Sequence, residues 1–369
     1  MKTIFKHFLS AITLSTVFFT AVANDNNQPR SFIIIGDVHY DRIENHDMSW
    51  LEQKPSDYRQ VTKTYTVNTE NYWNAYSKTL RHMSQQPGMI AVTQLGDLSE
   101  GLAGNIDKAR QMNDHLFKAI DDIGFEIPMI ITKGNHDVTG PGAKEIYPDT
   151  YLPNMTRLAQ LDEPLTAANY TKQIDDVLFV AYDVYERKCT PQWLDNVLKT
   201  SDAKYKFVLV HDPVIPINYR CWHTYRKPNQ AKLRQELLHA IASNGAIVLA
   251  AHLHQYAIVR RDTEWGPIVQ INVNSVINND SKNKLRKVAT VYDPQMVDEK
   301  PNWQPSSIEE RREMLAAEAP HVKFYKQADM PGYAVMNITS EGRLVLDYYP
   351  NVQTKPCDTV DITAIYDIK

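Results

Sequence analysis

The chain has 369 residues, 40 Lys and Arg against 44 Asp and Glu, a formal net charge of −4, and 43% hydrophobic residues. A mildly acidic balance makes the chain a poor candidate for general nucleic-acid binding, which needs a clustered basic surface, and no stable nucleic-acid binding is expected. The hydrophobic share suffices for a large core in one α/β domain or two smaller ones.

In chain order, residues 1–23, MKTIFKHFLSAITLSTVFFTAVA, carry Lys2 and Lys6, then an apolar run broken by Ser and Thr, then Ala21-Val22-Ala23 in the small-residue pattern of a cleavage site. This predicts a secretory signal peptide and export to the periplasm or beyond. Its removal takes away two lysines and moves the formal charge from −4 to −6. The alternative is an uncleaved N-terminal anchor, which would make the chain a membrane-associated interaction protein. No later segment approaches the length of a membrane span, so the mature chain is expected to have none.

The runs SFIIIGD, MIAVTQLGD, IPMIITKGNHD, VLFVAYDV, YKFVLVHDP and GAIVLAAHLH are short, apolar, rich in β-branched residues and bounded by turn chemistry. They read as buried strands, and helical patterns lie between several of them, which predicts an α/β fold with helix-covered sheets. In several runs a polar cluster follows the last apolar residue, at the strand end where open α/β sheets bind ligands. The stretch 278–330 reads as an excursion on the same domain, with a helix over SSIEERREMLAAEA whose Ser306 and Glu309 fit a capping box. A hairpin follows over 332–350. Cysteine is sparse. Cys189 and Cys221 flank the same predicted strand and loop and form the first disulfide to test, against three free thiols with Cys357.

The strand ends supply Asp37 and His39, Asp97, Asn135 and His136, His211, then His252 and His254. Five of the twelve histidines lie there. Were the first strand to continue through Asp37 and His39, both side chains would point the same way and could meet one ion. His46, His82, His115, His223, His239 and His321 lack this context and read as surface or core residues.

This ordered set, Asp-x-His, Gly-Asp, Gly-Asn-His-Asp, His and His-x-His, resembles the calcineurin-like metallophosphoesterase superfamily over roughly residues 31–275, and the 332–350 hairpin is similar to its closing strands. The resemblance implies one domain over 24–369, built as a four-layer α/β/β/α sandwich. It implies two metal ions, one held by Asp37, His39 and His254, the other by Asn135, His211 and His252, with Asp97 between them. Imidazole, carboxylate and amide oxygen suit Mn, Fe, Zn, Co or Ni. Two such ions can share a hydroxide that attacks phosphorus. His136 would stabilise the transition state and protonate the leaving oxygen, with Asp137 orienting it.

The departures narrow the relatives. Ala251 stands where the superfamily usually has glycine, which implies a compatible backbone rather than a lost ligand. GDLSEG lacks the Asp-Arg-Gly continuation of the Ser/Thr protein phosphatases, and Glu100 replaces the ligand tyrosine of purple acid phosphatases. After His254, 115 residues remain, which looks short for the substrate domain of secreted 5′-nucleotidases. An exported hydrolase of phosphate esters is left, with phosphodiesters preferred over monoesters. In the loop INYRCWHTYRKP, Arg220 and Arg226 could clamp a phosphate while Trp222 stacks or packs on the substrate, or the loop is plain solvated surface. The competing function is an exported metal- or ligand-binding protein without turnover, which would lack the bridge or the acid. Both Asp97 and His136 are present.

Overall fold

The computed structural model describes residues 28–186, 190–217, 223–225, 230–276, 284–293 and 307–368. The expected signal segment, Cys189, Cys221, Arg220, Trp222 and Arg226 lie outside these residues, as do parts of the 278–330 stretch.

The strands are β1 (Arg30–Ile35), β2 (Met89–Gln94), β3 (Met129–Ile131), β4 (Tyr170–Ile174), β5 (Val177–Ala181), β6 (Tyr205–Leu209), β7 (Ile247–Ala250), β8 (Tyr256–Thr263), β9 (Gly266–Asn272), β10 (Arg286–Ala289), β11 (Val322–Asp329), β12 (Gly332–Ile338), β13 (Leu344–Pro350) and β14 (Asp358–Asp361). They form two mixed sheets, ordered β14-β13-β12-β1-β2-β3 and β10-β11-β8-β9-β7-β6-β5-β4. In the first, β1, β2 and β3 run parallel and β12 joins β1 antiparallel. In the second, β5, β6, β7 and β9 form a parallel centre.

The period-two pattern of the central strands accounts for their burial on both faces. Phe179, Phe207 and Leu249 join the core shared with the first sheet, whereas Val180, Val208 and Val248 join a second core. Phe32 of β1 packs edge-on against Phe179 (5.0 Å between centroids) and Phe207 (4.9 Å), so the sheets meet face to face. Such aromatic pairs each add about 0.5–1.5 kcal/mol beyond area burial.

The helices are α1 (Met48–Leu51), α2 (Pro55–Gln60), α3 (Thr66–Ser84), α4 (Ile106–Asp121), α5 (Ala143–Leu158), α6 (Pro191–Thr200), α7 (Ala231–Ser243), α8 (Ile308–Glu318) and α9 (Ile362–Tyr366). In α4, Asn105 caps the Lys108 amide, and Ala109, Met112, Leu116 and Ile120 recur at helical spacing on the buried face. Leu194 and Leu198 of α6 and Leu237, Leu238 and Ile241 of α7 fill the second core. The cap of α8 is Ser307, whose hydroxyl accepts from the Glu310 amide, one residue beyond the expected Ser306. The polar loops after β1, β2, β3, β6 and β7 gather where the two sheets are joined by a bridge from Gly36 to Ser275. No helix among the described residues is long and apolar enough to cross a membrane.

Candidate metal centre

β1 ends at Ile35, so Asp37 and His39 are not alternating strand residues as expected. Both are left-handed, with φ of 46° and 47°, and Asp97 (52°), His252 (67°) and His254 (50°) share that conformation. For a residue with a Cβ this costs about 1–3 kcal/mol and persists only where surroundings enforce it. Here neighbouring loops do so. The amides of Asp37, His39 and Tyr40 donate to the carbonyls of Gly96, Asp97 and Leu98, and the His252 amide donates to the Asp37 carboxylate at 3.0 and 3.1 Å. The loops approach too closely for side chains at several glycines, Gly36 and Gly134 among them. A Cβ on Gly134 would lie 2.1 Å from the Asp97 nitrogen, and one on Gly36 would lie 2.7 Å from the Ala251 Cβ. The methyl of Ala251, the departure noted above, is thus accommodated by the missing side chain of Gly36.

Asp137 serves this scaffold rather than His136. Its carboxylate accepts from the amides of Asp97, Leu98, Ser99 and Gly134 and from the Tyr151 hydroxyl. The orienting role expected of it falls to Glu100, whose main-chain carbonyl accepts from His136 Nδ1 at 2.7 Å and whose carboxylate lies 3.5 Å from the same nitrogen.

The seven candidate ligands come together. Asp97 Oδ2 is 3.1 Å from His211 Nε2 and 3.8 Å from His39 Nε2. His211 Nε2 is also 3.2 Å from Asn135 Oδ1 and 3.1 Å from His252 Nδ1. On the other side His254 Nε2 is 3.3 Å from His39 Nε2 and 3.6 Å from Asp37 Oδ1. Two groups therefore have metal-ligand spacing, Asp37 with His39 and His254, and Asp97 with His211 and His252. A third, His39 with Glu100 and His136, has the spacing too. It reads as an orienting shell, because Glu100 meets both rings at Nδ1, behind His39 Nε2.

The outer nitrogens are tied down. His39 Nδ1 is 2.7 Å from Glu100 Oε2, His211 Nδ1 donates to the Leu95 carbonyl, and His252 Nε2 lies 3.6 Å from Asp212. The first two are hydrogen bonds and fix tautomer and ring orientation. Asp212 is itself held by the Tyr185 hydroxyl.

Burial and mutual proximity set the charges of these groups. Burial opposes the Asp97 charge, but His211 and His136 hold its carboxyl well below the usual range. Burial also opposes the His211 imidazolium, yet Asp97 takes it up to about 10. His39 is held well below its usual value by burial and by His136, and burial pushes Glu100 up to about 8. Imidazole nitrogens facing one another at 3.1 and 3.3 Å beside two buried carboxylates need a proton or a cation between them. The donor set of imidazoles, carboxylates and one amide fits divalent transition metals, whose binding displaces such protons.

Three contributors escaped sequence reasoning. Glu100 was legible only as a carboxylate three residues after Asp97. Gln60, which donates to Glu100 Oε1 at 2.6 Å, and Tyr65, stacked on His39 at 4.1 Å, come from a helix with no motif. His46 is buried and paired with Asp41 at 2.8 Å, a core residue as one of its two expected readings had it.

The calcineurin-like phosphoesterase family model matches residues 30–256. No curated protein sequence matches the chain. Among solved structures, a purple acid phosphatase from yellow lupin (Lupinus luteus) seeds aligns with a TM-score of 0.52 at 11% identity, over 91% of this chain and 54% of that one. PhoD aligns with 0.50 at 12%, over 90% and 68%, and a dimetal phosphatase from Danio rerio with 0.50 at 15%, over 90% and 98%. At such identities these likenesses speak to the fold alone; the family match spans more than half of the chain, which therefore belongs to the calcineurin-like phosphoesterases, metal-dependent hydrolases of phosphoric esters.

Proposed function

We propose that the chain is a dinuclear phosphoesterase in which Asp37, His39 and His254 hold one ion, Asn135, His211 and His252 hold the other, and Asp97 serves both. The observation that carries this reading is the convergence of seven side chains, Asp97 among them, from five strand-end loops. When bound, such ions supply positive charge for the phosphoryl oxygens and lower the pKa of water. Their identity among Mn, Fe, Zn, Co and Ni is left to metal analysis.

The rest is the work of the chain. His136 donates its Nδ1 proton to the Glu100 carbonyl, which leaves Nε2 to carry the transferable proton. Burial works against the charged ring, but Glu100 and Asp97 raise its pKa above the ordinary value and favour the imidazolium. With 19% of its side chain exposed, His136 meets solvent and substrate, whereas His211 is fully buried. His136 Nε2 then protonates the leaving oxygen, and Asp97, bonded to the His136 amide at 2.7 Å, fixes the loop.

We place phosphodiesters ahead of monoesters as substrates. The departures from the protein-phosphatase and purple-acid-phosphatase patterns support that order, and Arg220, Trp222 and Arg226 are the first residues to test for substrate contact. The N-terminal signal pattern supports export. The deciding experiment strips the protein, reloads it with each metal and compares matched aryl phosphate diesters and monoesters. Faster diester turnover supports the reading; faster monoester turnover reverses the preference. Two bound ions without turnover would make it a metal-binding exported protein.

A further inference from the structure

Between α2 and α3 the helix does not break. Residues Val61–Tyr65 form a π-helical turn closed by the Thr66 amide on the Val61 carbonyl, so one continuous helix runs from Pro55 to Ser84. Wide turns of this kind are rare and collect at functional sites. The geometry gives the reason here. In a regular α-helix residues five apart lie about 140° apart around the axis, so Gln60 and Tyr65 would face different ways. The i to i+5 turn brings them to one face, and that face is the metal centre.

Their contacts there are complementary. Gln60 Nε2 donates to Glu100 Oε1, which leaves Oε2 for His39 Nδ1 at 2.7 Å. Tyr65 lies flat on the His39 ring, 4.1 Å between centroids and 20° from parallel. His39 is thus held at its outer nitrogen by a carboxylate that Gln60 orients, and across one face by Tyr65. Just beyond the turn, the Thr66 hydroxyl donates to Asp41 Oδ2 at 2.7 Å and Thr69 Oγ1 accepts from the Asp41 amide at 3.0 Å, tying the helix to the loop that carries His39.

We infer that this π turn is a positioning device for the ion held by Asp37, His39 and His254, with Gln60 and Tyr65 as positioning residues that act through Glu100 and His39. The inference rests on the proposed ligand set. The contacts named for both residues lie at His39 and Glu100, so the loss is expected at the ion that His39 serves. Partners that orient a ligand are worth about 10–100-fold in metal affinity or activity.

The test titrates Mn into the metal-free full chain by calorimetry, for wild type, Tyr65→Ala, Tyr65→Phe and Gln60→Ala, with melting curves in parallel. Two ions in wild type establish the reading beneath the inference, and failure to bind them sinks that reading independently of the variants. The expected result is a loss of about tenfold or more at one ion in Tyr65→Ala and Gln60→Ala, with the other ion unchanged. Tyr65→Phe, which keeps the stacked ring, restores the affinity. Wild-type affinity at both ions in the two alanine variants overturns the inference. So does an equal loss at both ions, or a loss that Tyr65→Phe leaves in place.

Discussion

The two sides of the Asp97 carboxylate are built differently. On one side His211 and His252 are buried, and His211 is held by a main-chain carbonyl. On the other, His254 has 34% and His136 19% of the side chain exposed, and the fully buried His39 is held by side chains, Glu100 and Tyr65. The first side is tied to main chain, His211 through the carbonyl of Leu95 just after β2. The second opens to solvent, where an ester must enter, and depends on a helix inserted between β1 and β2. Charge placement and substrate access are thus divided between two kinds of support.

The sharpest way to break this division is at the shared group. Asp97→Asn is expected to abolish turnover to background and to lower the ion content measured by elemental analysis, because both sides lose their common ligand. Two ions retained with full activity would remove Asp97 from the centre. His136→Ala, on the open side, should leave both ions bound and lower kcat on an ester with a poor leaving group by on the order of 10²–10⁴. A nitrophenyl ester, whose leaving group needs no proton, should show much less of that loss, and equal losses on both substrates would argue against the acid role.

Glu100→Gln tests how the open side is tuned. In its proposed role His136 acts protonated, and its pKa, against the burial penalty, is raised above 6.5 by Glu100 and Asp97. Its contribution to rate is therefore full at low pH and lost as pH rises through that raised value. Removing the Glu100 charge should move the alkaline limb of the kcat profile to lower pH and cut the rate by about 10–100-fold. An unmoved limb would detach Glu100 from His136.

Smaller effects are expected where the loops only pack. Gly36→Ala sets a methyl against Ala251 and should destabilise the chain by about 1–3 kcal/mol, read from denaturant melts. Ala251→Gly, which restores the residue usual in the family, should cost only about 0.5–1 kcal/mol and keep activity. The reverse ranking would mean that the close approach of these two positions does not constrain the site.

Much of this arrangement was legible beforehand for a physical reason. Strands buried on both faces, such as Phe32–Ile35, must be apolar throughout, so the polar residues that follow them stand out, and those are Asp37, Asp97, Asn135, His211, His252 and His254. The conformation of these residues was not legible. Alternation suggested extended backbone at Asp37 and His39, but main-chain bonds from the β2 loop hold both left-handed. Asp137 sits next to His136 in sequence and suggested a partner, yet four amides of two loops claim its carboxylate.

The sequence by itself determined the α/β fold class, the strands that end at the site and the candidate ligand types, because these follow from local periodicity and from residue chemistry at strand ends. Only the tertiary structure decided which groups orient those ligands. Glu100, Gln60, Tyr65 and Asp212 reach them across tens of residues of intervening chain, and a contact formed by folding leaves no periodicity in the segment that supplies it.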